Sequence, residues 1–341
     1  MKKILLIIIL ISYNKLLFSN DLFNSSFYEV EFISNQIEDE KINKINEIKK
    51  DSIEIIFEKT LIEKQYSKFK NNLSNDLINT FIKNVIIEDE KIINNKYLSK
   101  IKVNFDKKKI IHFYRTKKIP YVEYLPDKIL LVIIEENEIG YNFFSEDNSF
   151  YSYYKKNLKK DNLFMIPNLD INDRYILKKK HIDNNNMDRI INFSKKYNID
   201  DVVLVNAKIN NNKVKYDIAL FSDGELVKKN LNFYKYKFNK FYKILENETI
   251  DIWKDINQIQ NNSLNTINCK VNYLNILELK EIRDNLDKIS IIKNILVKSI
   301  SYNSIEYDIF YFGNLKLLSN ILNLNYLKIN ENTNSCNIRL K

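Results

Sequence analysis

The sequence predicts a mixed α+β and α/β fold built in several units. Stretches with period-two alternation and stretches with spacings of three and four succeed one another along its 341 residues. Two runs, Ile129 to Ile134 and the "VVLV" of 202–205, are apolar at every position, as strands covered on both faces are. The strongest turn signal, Asp223-Gly224, falls between two strand-like runs.

The first unit, residues 26–120, reads as βααββα. In "FYEVEFIS" (27–34) Tyr28, Val30 and Phe32 alternate with Glu29 and Glu31, the period of a strand with one buried face. Ile42, Ile45, Ile48, Ile53, Ile56, Phe57 and Leu61 then recur mostly at helical spacing, and Glu38, Asp39 and Glu40 crowd the first turn, where the helix dipole favours acids. A second, short helix is expected over about 73–83. "NVIIEDEKII" and "KYLSKIKVNF" flank Asn94-Asn95 as a hairpin, and Asp106 caps the helix "KKKIIHFYR".

Pro120 and Pro126 bracket a linker to the second unit, residues 126–262, an α/β sandwich with an antiparallel extension. The buried strand "KILLVIIEE" opens it, and a helix near 148–158 and the strand "LFMIPN" follow. "NNMDRIINFSKKYN" is helical, with Met187, Ile190, Ile191, Phe193 and Tyr197 near one face. The strands "DDVVLVNAKI", "KVKYDIALF" and "ELVKKNLNFYKY" come next, and a long helix around Trp253 closes the unit. The third unit, 264–341, reads as a ferredoxin-like βαββαβ: strand "INCKVNYL", helix "ILELKEIRDNLDKI", hairpin "NILVKSIS"/"SIEYDIFYF", helix "LKLLSNILN" after Gly313-Asn314, and strand "CNIRL", with "YLKI" as an extra short strand.

The first twenty residues have the layout of a signal peptide. Lys2 and Lys3 precede the apolar run Ile4 to Ile11, Lys15 interrupts it, and Ser19 offers a small residue, so cleavage is expected after Ser19 or Asn20. The alternatives are a retained inner-membrane anchor facing the periplasm, or a buried N-terminal helix. No cysteine follows the run, so lipoprotein processing is not expected.

Hydrophobic residues make up 45% of the chain, a globular composition. Ile, Asn and Lys are abundant while Ala occurs only at Ala207 and Ala219. A/T-rich codons favour those three residues, which discounts arguments from lysine number. The net charge of +10 is scattered among acids, as on a solvated surface. The stretch "NFYKYKFNKFYK" (232–243) does interleave rings and lysines as single-strand nucleic-acid grooves do. Register argues for structure instead. Tyr234, Tyr236 and Phe238 share one strand face against Lys235 and Lys237, and from about Asn239 helical spacing buries Phe241 and Leu245.

Several chemistries lack their residues. Gly140, Gly224 and Gly313 are too far apart for a dinucleotide fingerprint, a P-loop or a nucleophile elbow. The two histidines, His112 and His181, lie in different units and outside any metal-ligand motif, so neither a metal site nor a Ser-His-Asp or Cys-His centre is expected. Carboxylates are the remaining catalytic groups. Asp170 and Asp173, just past a buried strand, sit where α/β folds place ligands; the plainer reading is an N-cap beside a surface acid. Cys269 and Cys336, the only cysteines, each fall on a core-facing strand face. The ferredoxin-like order makes their strands antiparallel neighbours, so they form either a structural disulfide or two small buried thiols.

The chain resembles the Gram-negative envelope family called domain of unknown function 2066. The matching stretches are "YEVEFISNQ", "VNFDKKKI", "IPYV", "PDKILLVI", "YNIDDVVLVNAKI" and "VNYLNILELKEIRDNLDKISIIKNILV". Where that pattern carries a glycine after the second buried strand, Asn206-Ala207 stand here. The resemblance implies a periplasmic protein, with no catalytic residues to carry over and a middle unit similar to the TolB amino-terminal module. On this reading the protein is exported and non-catalytic. It acts in envelope protein interaction or assembly, without cofactor or nucleic acid, and any inner-membrane association is transient and through the leader. The alternative is a carboxylate-based, glycan hydrolase-like envelope enzyme using Asp170 and Asp173.

Overall fold

The computed structural model describes residues 22–341 except 71–72, 158–162, 211–212, 234–236, 261–263 and 333–334. The expected leader, and the register expected for Tyr234, Lys235 and Tyr236, lie outside the described residues. Those residues form a mixed α+β structure with three sheets. The chain divides into two compact units: residues to Thr60 with 66–110, and residues 61–65 with 111–341.

In the first unit, β1 (Tyr28–Ile33), β2 (Ile82–Ile93) and β3 (Lys96–Phe105) form an antiparallel sheet in the order β1-β3-β2. α1 (Ile37–Thr60) buries Ile48, Ile53, Ile56 and Phe57, and α3 (Asn75–Phe81) adds Ile78 and Phe81; Tyr97, Ile101, Val103 and Phe105 of the central strand complete the core. Ser74 caps α3, its hydroxyl accepting from the Leu77 amide. Between these helices lies one more than the sequence predicts, α2 (Glu63–Lys70). It buries no residue, so it carries no apolar period to read. Along residues 26–120 the element order is therefore βαααββα, ending on α4 (Lys107–Thr116), whose Lys108 and Lys109 amides donate to Asp106 at 3.0 and 3.3 Å.

The second unit holds two sheets. One has the path β5-β4-β7-β8-β9, with β6 beside β4. β4 (Ile129–Glu136) runs parallel to β6 (Phe164–Met165) and to β7 (Val202–Asn210); the short β5 (Tyr141–Phe143), β8 (Lys213–Ser222) and β9 (Glu225–Phe233) pair antiparallel. Ile129 to Ile134 are all buried, because helices cover both faces of a crossover sheet. The β8–β9 turn sets Asp223 and Gly224 at φ of 52° and 79°, the doubly left-handed turn that matches strand twist. α5 (Ser149–Asn157), α8 (Met187–Tyr197) and α9 (Phe238–Asn257) pack on this sheet, with the short α6 (Ile171–Ile176) and α7 (Lys179–Asp183) between β6 and α8. Ile119, Tyr121 and Val122, beside Pro120, are buried, and Tyr121 bridges to Ile259.

The other sheet comprises β10 (Leu264–Asn272), β11 (Ile292–Ser301), β12 (Ser304–Phe312), β13 (Leu327–Asn332) and β14 (Ser335–Leu340), in the order β11-β12-β10-β14-β13. α10 (Ile276–Lys288) and α11 (Leu315–Leu324) contribute Ile282, Leu286, Leu317, Leu318, Ile321 and Leu322 to its core. The expected neighbour relation is corrected here. β14 runs parallel to β10, not antiparallel, and "YLKI" belongs to the full strand β13. A tight β13–β14 hairpin folds β14 back between β10 and β13, where Cys336 and Ile338 bury on the same face as Cys269 and Val271.

Candidate functional site

The predicted carboxylate pair sits where the chain leaves β6. Asp170 is the N-cap of α6, its Oδ1 accepting from the Asp173 amide at 2.9 Å. One turn later, Asp173 points inward and is 0% exposed. Two residues from the far end of α8, Lys196 and Tyr197, reach both acids. Lys196 Nζ donates to Asp173 Oδ1 at 2.6 Å and to Asp170 Oδ1 at 3.1 Å, and the Tyr197 hydroxyl donates to Asp173 at 2.6 Å. The Leu169 amide donates to Asp173 Oδ2 at 2.9 Å, and Tyr197 in turn accepts from the Asn168 amide.

The electrostatics follow from these bonds. The Asp173 amide, then Lys196, hold the Asp170 carboxyl below the usual carboxylate range. Burial opposes the charge on Lys196, but its bonds to Asp173 and Asp170 outweigh that and raise the ammonium. Burial, with the bond to Asp173, pushes the Tyr197 phenol up to about 12. Both oxygens of Asp173 are thus taken by protein donors, and the pair is bridged by one ammonium. This arrangement pins the 168–173 segment to α8; it presents no buried carboxyl to a substrate. Neither partner was readable locally, because Lys196 and Tyr197 lie more than twenty residues away in what reads as an ordinary amphipathic helix.

The histidines stay apart from this cluster. His112, on α4, is exposed and lies 3.5 Å from the Thr116 hydroxyl. His181 Nδ1 accepts from the Lys178 amide, and burial with the nearby Arg189, Lys180 and Lys178 cations lowers its pKa. Neither bonds to a carboxylate, and no group of metal-ligating side chains occurs, among the described residues.

Of the aromatic residues in 232–243, Phe238, Phe241 and Tyr242 pack on their own sheet and helix. Phe238 stacks on Tyr153 at 4.7 Å, Phe241 on Tyr216 at 4.6 Å, and the Tyr242 hydroxyl donates to the Phe150 carbonyl, while Lys237 and Lys240 reach water. These three rings pack into the core.

Cys269 and Cys336 face each other across β10 and β14, with Cα atoms 4.4 Å apart and the sulfurs joined. The same unit carries two surface depressions. A cleft of about 530 Å³ is lined by Asn323, Lys328, Arg339, Leu340 and Lys341. A groove of about 330 Å³ runs between α10 and the free edge strand β11. Asp170 and Asp173 line neither.

No protein-family model and no curated protein matches the chain. Among solved structures it is similar to the C-terminal domain of LpoB from Salmonella enterica, at 12% identity over 32% of this chain and 84% of that one, with a TM-score of 0.22. A likeness at that score decides neither fold nor activity. No helix among the described residues is long and apolar enough to cross a membrane.

Proposed function

We propose that this protein is exported to the bacterial periplasm, with cleavage after Ser19 or Asn20, and acts there by binding other envelope proteins, without catalysis, as a relative of the domain of unknown function 2066 family. The observation that supports this best is where exposed apolar surface collects. Leu274, Ile276 and Leu277 stand at the start of α10; Leu296, Val297, Ile300 and Tyr302 stand on β11 and its hairpin tip. The Tyr273 amide donates to Asn303 of that tip, which brings the two groups together. Exposed apolar side chains grouped on neighbouring elements mark an interaction face, whereas Asp173, which an acid–base mechanism would need, has its oxygens committed.

The test has two arms. N-terminal sequencing of protein from a periplasmic extract should begin at Asn20 or Asp21. In-cell crosslinking followed by purification should retain a defined envelope partner. An intact Met1 in soluble cytosolic protein, or no retained partner with crosslinkers of several lengths, would overturn the reading.

A further inference from the structure

We infer that the groove between α10 and β11 takes an extended, acidic peptide segment of another protein, which adds to the sheet as a sixth strand beside β11. This rests on the interaction role proposed above and names its surface and the chemistry of its partner.

β11 is a terminal strand of its sheet, so among the described residues one side of its backbone has no strand partner. Edge N–H and C=O groups are satisfied by water or by another backbone, and that makes an open edge a template for strand addition. Register shows what flanks the edge. Ile292, Ile295, Val297 and Ile300 lie opposite Tyr311, Ile309, Tyr307 and Ile305 of β12. Those four β12 residues are buried, and residues directly opposite in a ladder share a face. The helix side of β11 is therefore an unbroken aliphatic stripe. α10 covers it only in part: Val297 is 57% exposed and Ile300 72%. Leu286 and Ile289 form the opposite wall. The result is a trough whose floor suits aliphatic side chains at every second position of an extended chain.

The charges select among occupants. Arg283 and Lys293 rim the groove with Asp287, and Lys298 follows on the same strand. Arg283, Lys293 and Lys298 make no ion pair among the described residues. The surplus is positive, which favours carboxylates on the incoming strand. It also disfavours a second copy of this chain, whose own β11 would bring another Lys293 and Lys298 to the same positive rim. A lipid surface meets the exposed Ile300 and Tyr302 but leaves the edge amides without backbone partners. The β-bulges after Ile292 and Val297 confine the regular part of the edge to about four residues, so the segment recognised is short.

The experiment uses the purified full chain and two fluorescein-labelled peptides of about nine residues, one alternating valine with glutamate and one alternating valine with lysine. The glutamate peptide should bind and the lysine peptide should not, and binding should slow amide exchange at Asn294 to Val297. Val297→Asp should weaken the glutamate peptide about tenfold or more. Arg283→Glu with Lys293→Glu should reverse the preference toward the lysine peptide. All three positions are exposed, so an unchanged thermal melt checks that each variant folds. Glutamate-peptide binding that ignores both variants overturns the assignment. So does a dimer lost on Val297→Asp, or binding only to phosphatidylglycerol vesicles that Tyr302→Ser removes. A partner crosslinked through another surface sinks the groove and leaves the interaction role standing; absence of any crosslinked partner bears on that role separately.

Discussion

Cys269 and Cys336 offer the sharpest quantitative test. They are in register on adjacent strands, and both are buried. Their bond closes a loop of 67 residues that contains both helices and the β11–β12 hairpin. A crosslink across that length removes chain entropy from the unfolded state worth about 4 kcal/mol near 25 °C on the loop-closure model. For a cooperative unit of this size, such a loss lowers the melting temperature by roughly 8–16 °C. The assay is thermal and urea unfolding of the purified protein with and without a phosphine reductant, read by near-UV dichroism, with Cys269→Ala/Cys336→Ala as the second form. Both reduced protein and double variant should lose stability, the variant somewhat more because two buried side chains shrink. The thiol count is decisive: unfolded, unreduced protein should show none. Two titratable thiols, or identical unfolding in reductant, would refute the reasoning.

Three further outcomes follow from named contacts. Asp173→Ala strands Lys196 and Tyr197 without their acceptor, and should cost about 2–4 kcal/mol, below the full value for a buried pair because Lys196 is partly exposed; urea unfolding measures it, and a loss under about 1 kcal/mol means the network carries no strain of this kind. Asp201, whose carboxyl burial raises and which accepts from the Trp253 indole at 3.0 Å, has a folded pKa above its unfolded one, so its ionised form opposes folding at neutral pH and the penalty is relieved as pH falls through the folded value. Asp201→Asn keeps an acceptor for Trp253 and should leave stability at pH 7 equal or higher, with a weaker acid-side rise; a clear loss at pH 7 contradicts this. Gly313 adopts φ of 88°, and a Cβ there would stand 2.7 Å from Leu317 Cδ2, so Gly313→Ala should destabilise by about 1–2 kcal/mol in thermal melts.

Much of the element list was readable because local period reflects burial. The Ile129–Ile134 run, the Asp223-Gly224 turn and the Ile190–Phe193 face of α8 each show in a window of ten residues what the structure buries. α2 carries no such signal because it buries nothing, and α6 shows only its cap because its apolar residues Ile171 and Tyr175 face water. The fate of the carboxylates was hidden for another reason. Asp170 as an N-cap is local and legible, but whether Asp173 meets solvent or a lysine depends on where a helix twenty residues later ends.

From the chain alone came the alternation of strands and helices and the core-facing positions of both cysteines, since each depends on neighbours a few residues apart. Only the tertiary structure decided that β14 slides between β10 and β13, that Lys196 closes over two acids, and that α10 leaves the edge of β11 uncovered. Strand order and helix coverage are settled by which distant faces fit together, and no local period encodes that choice.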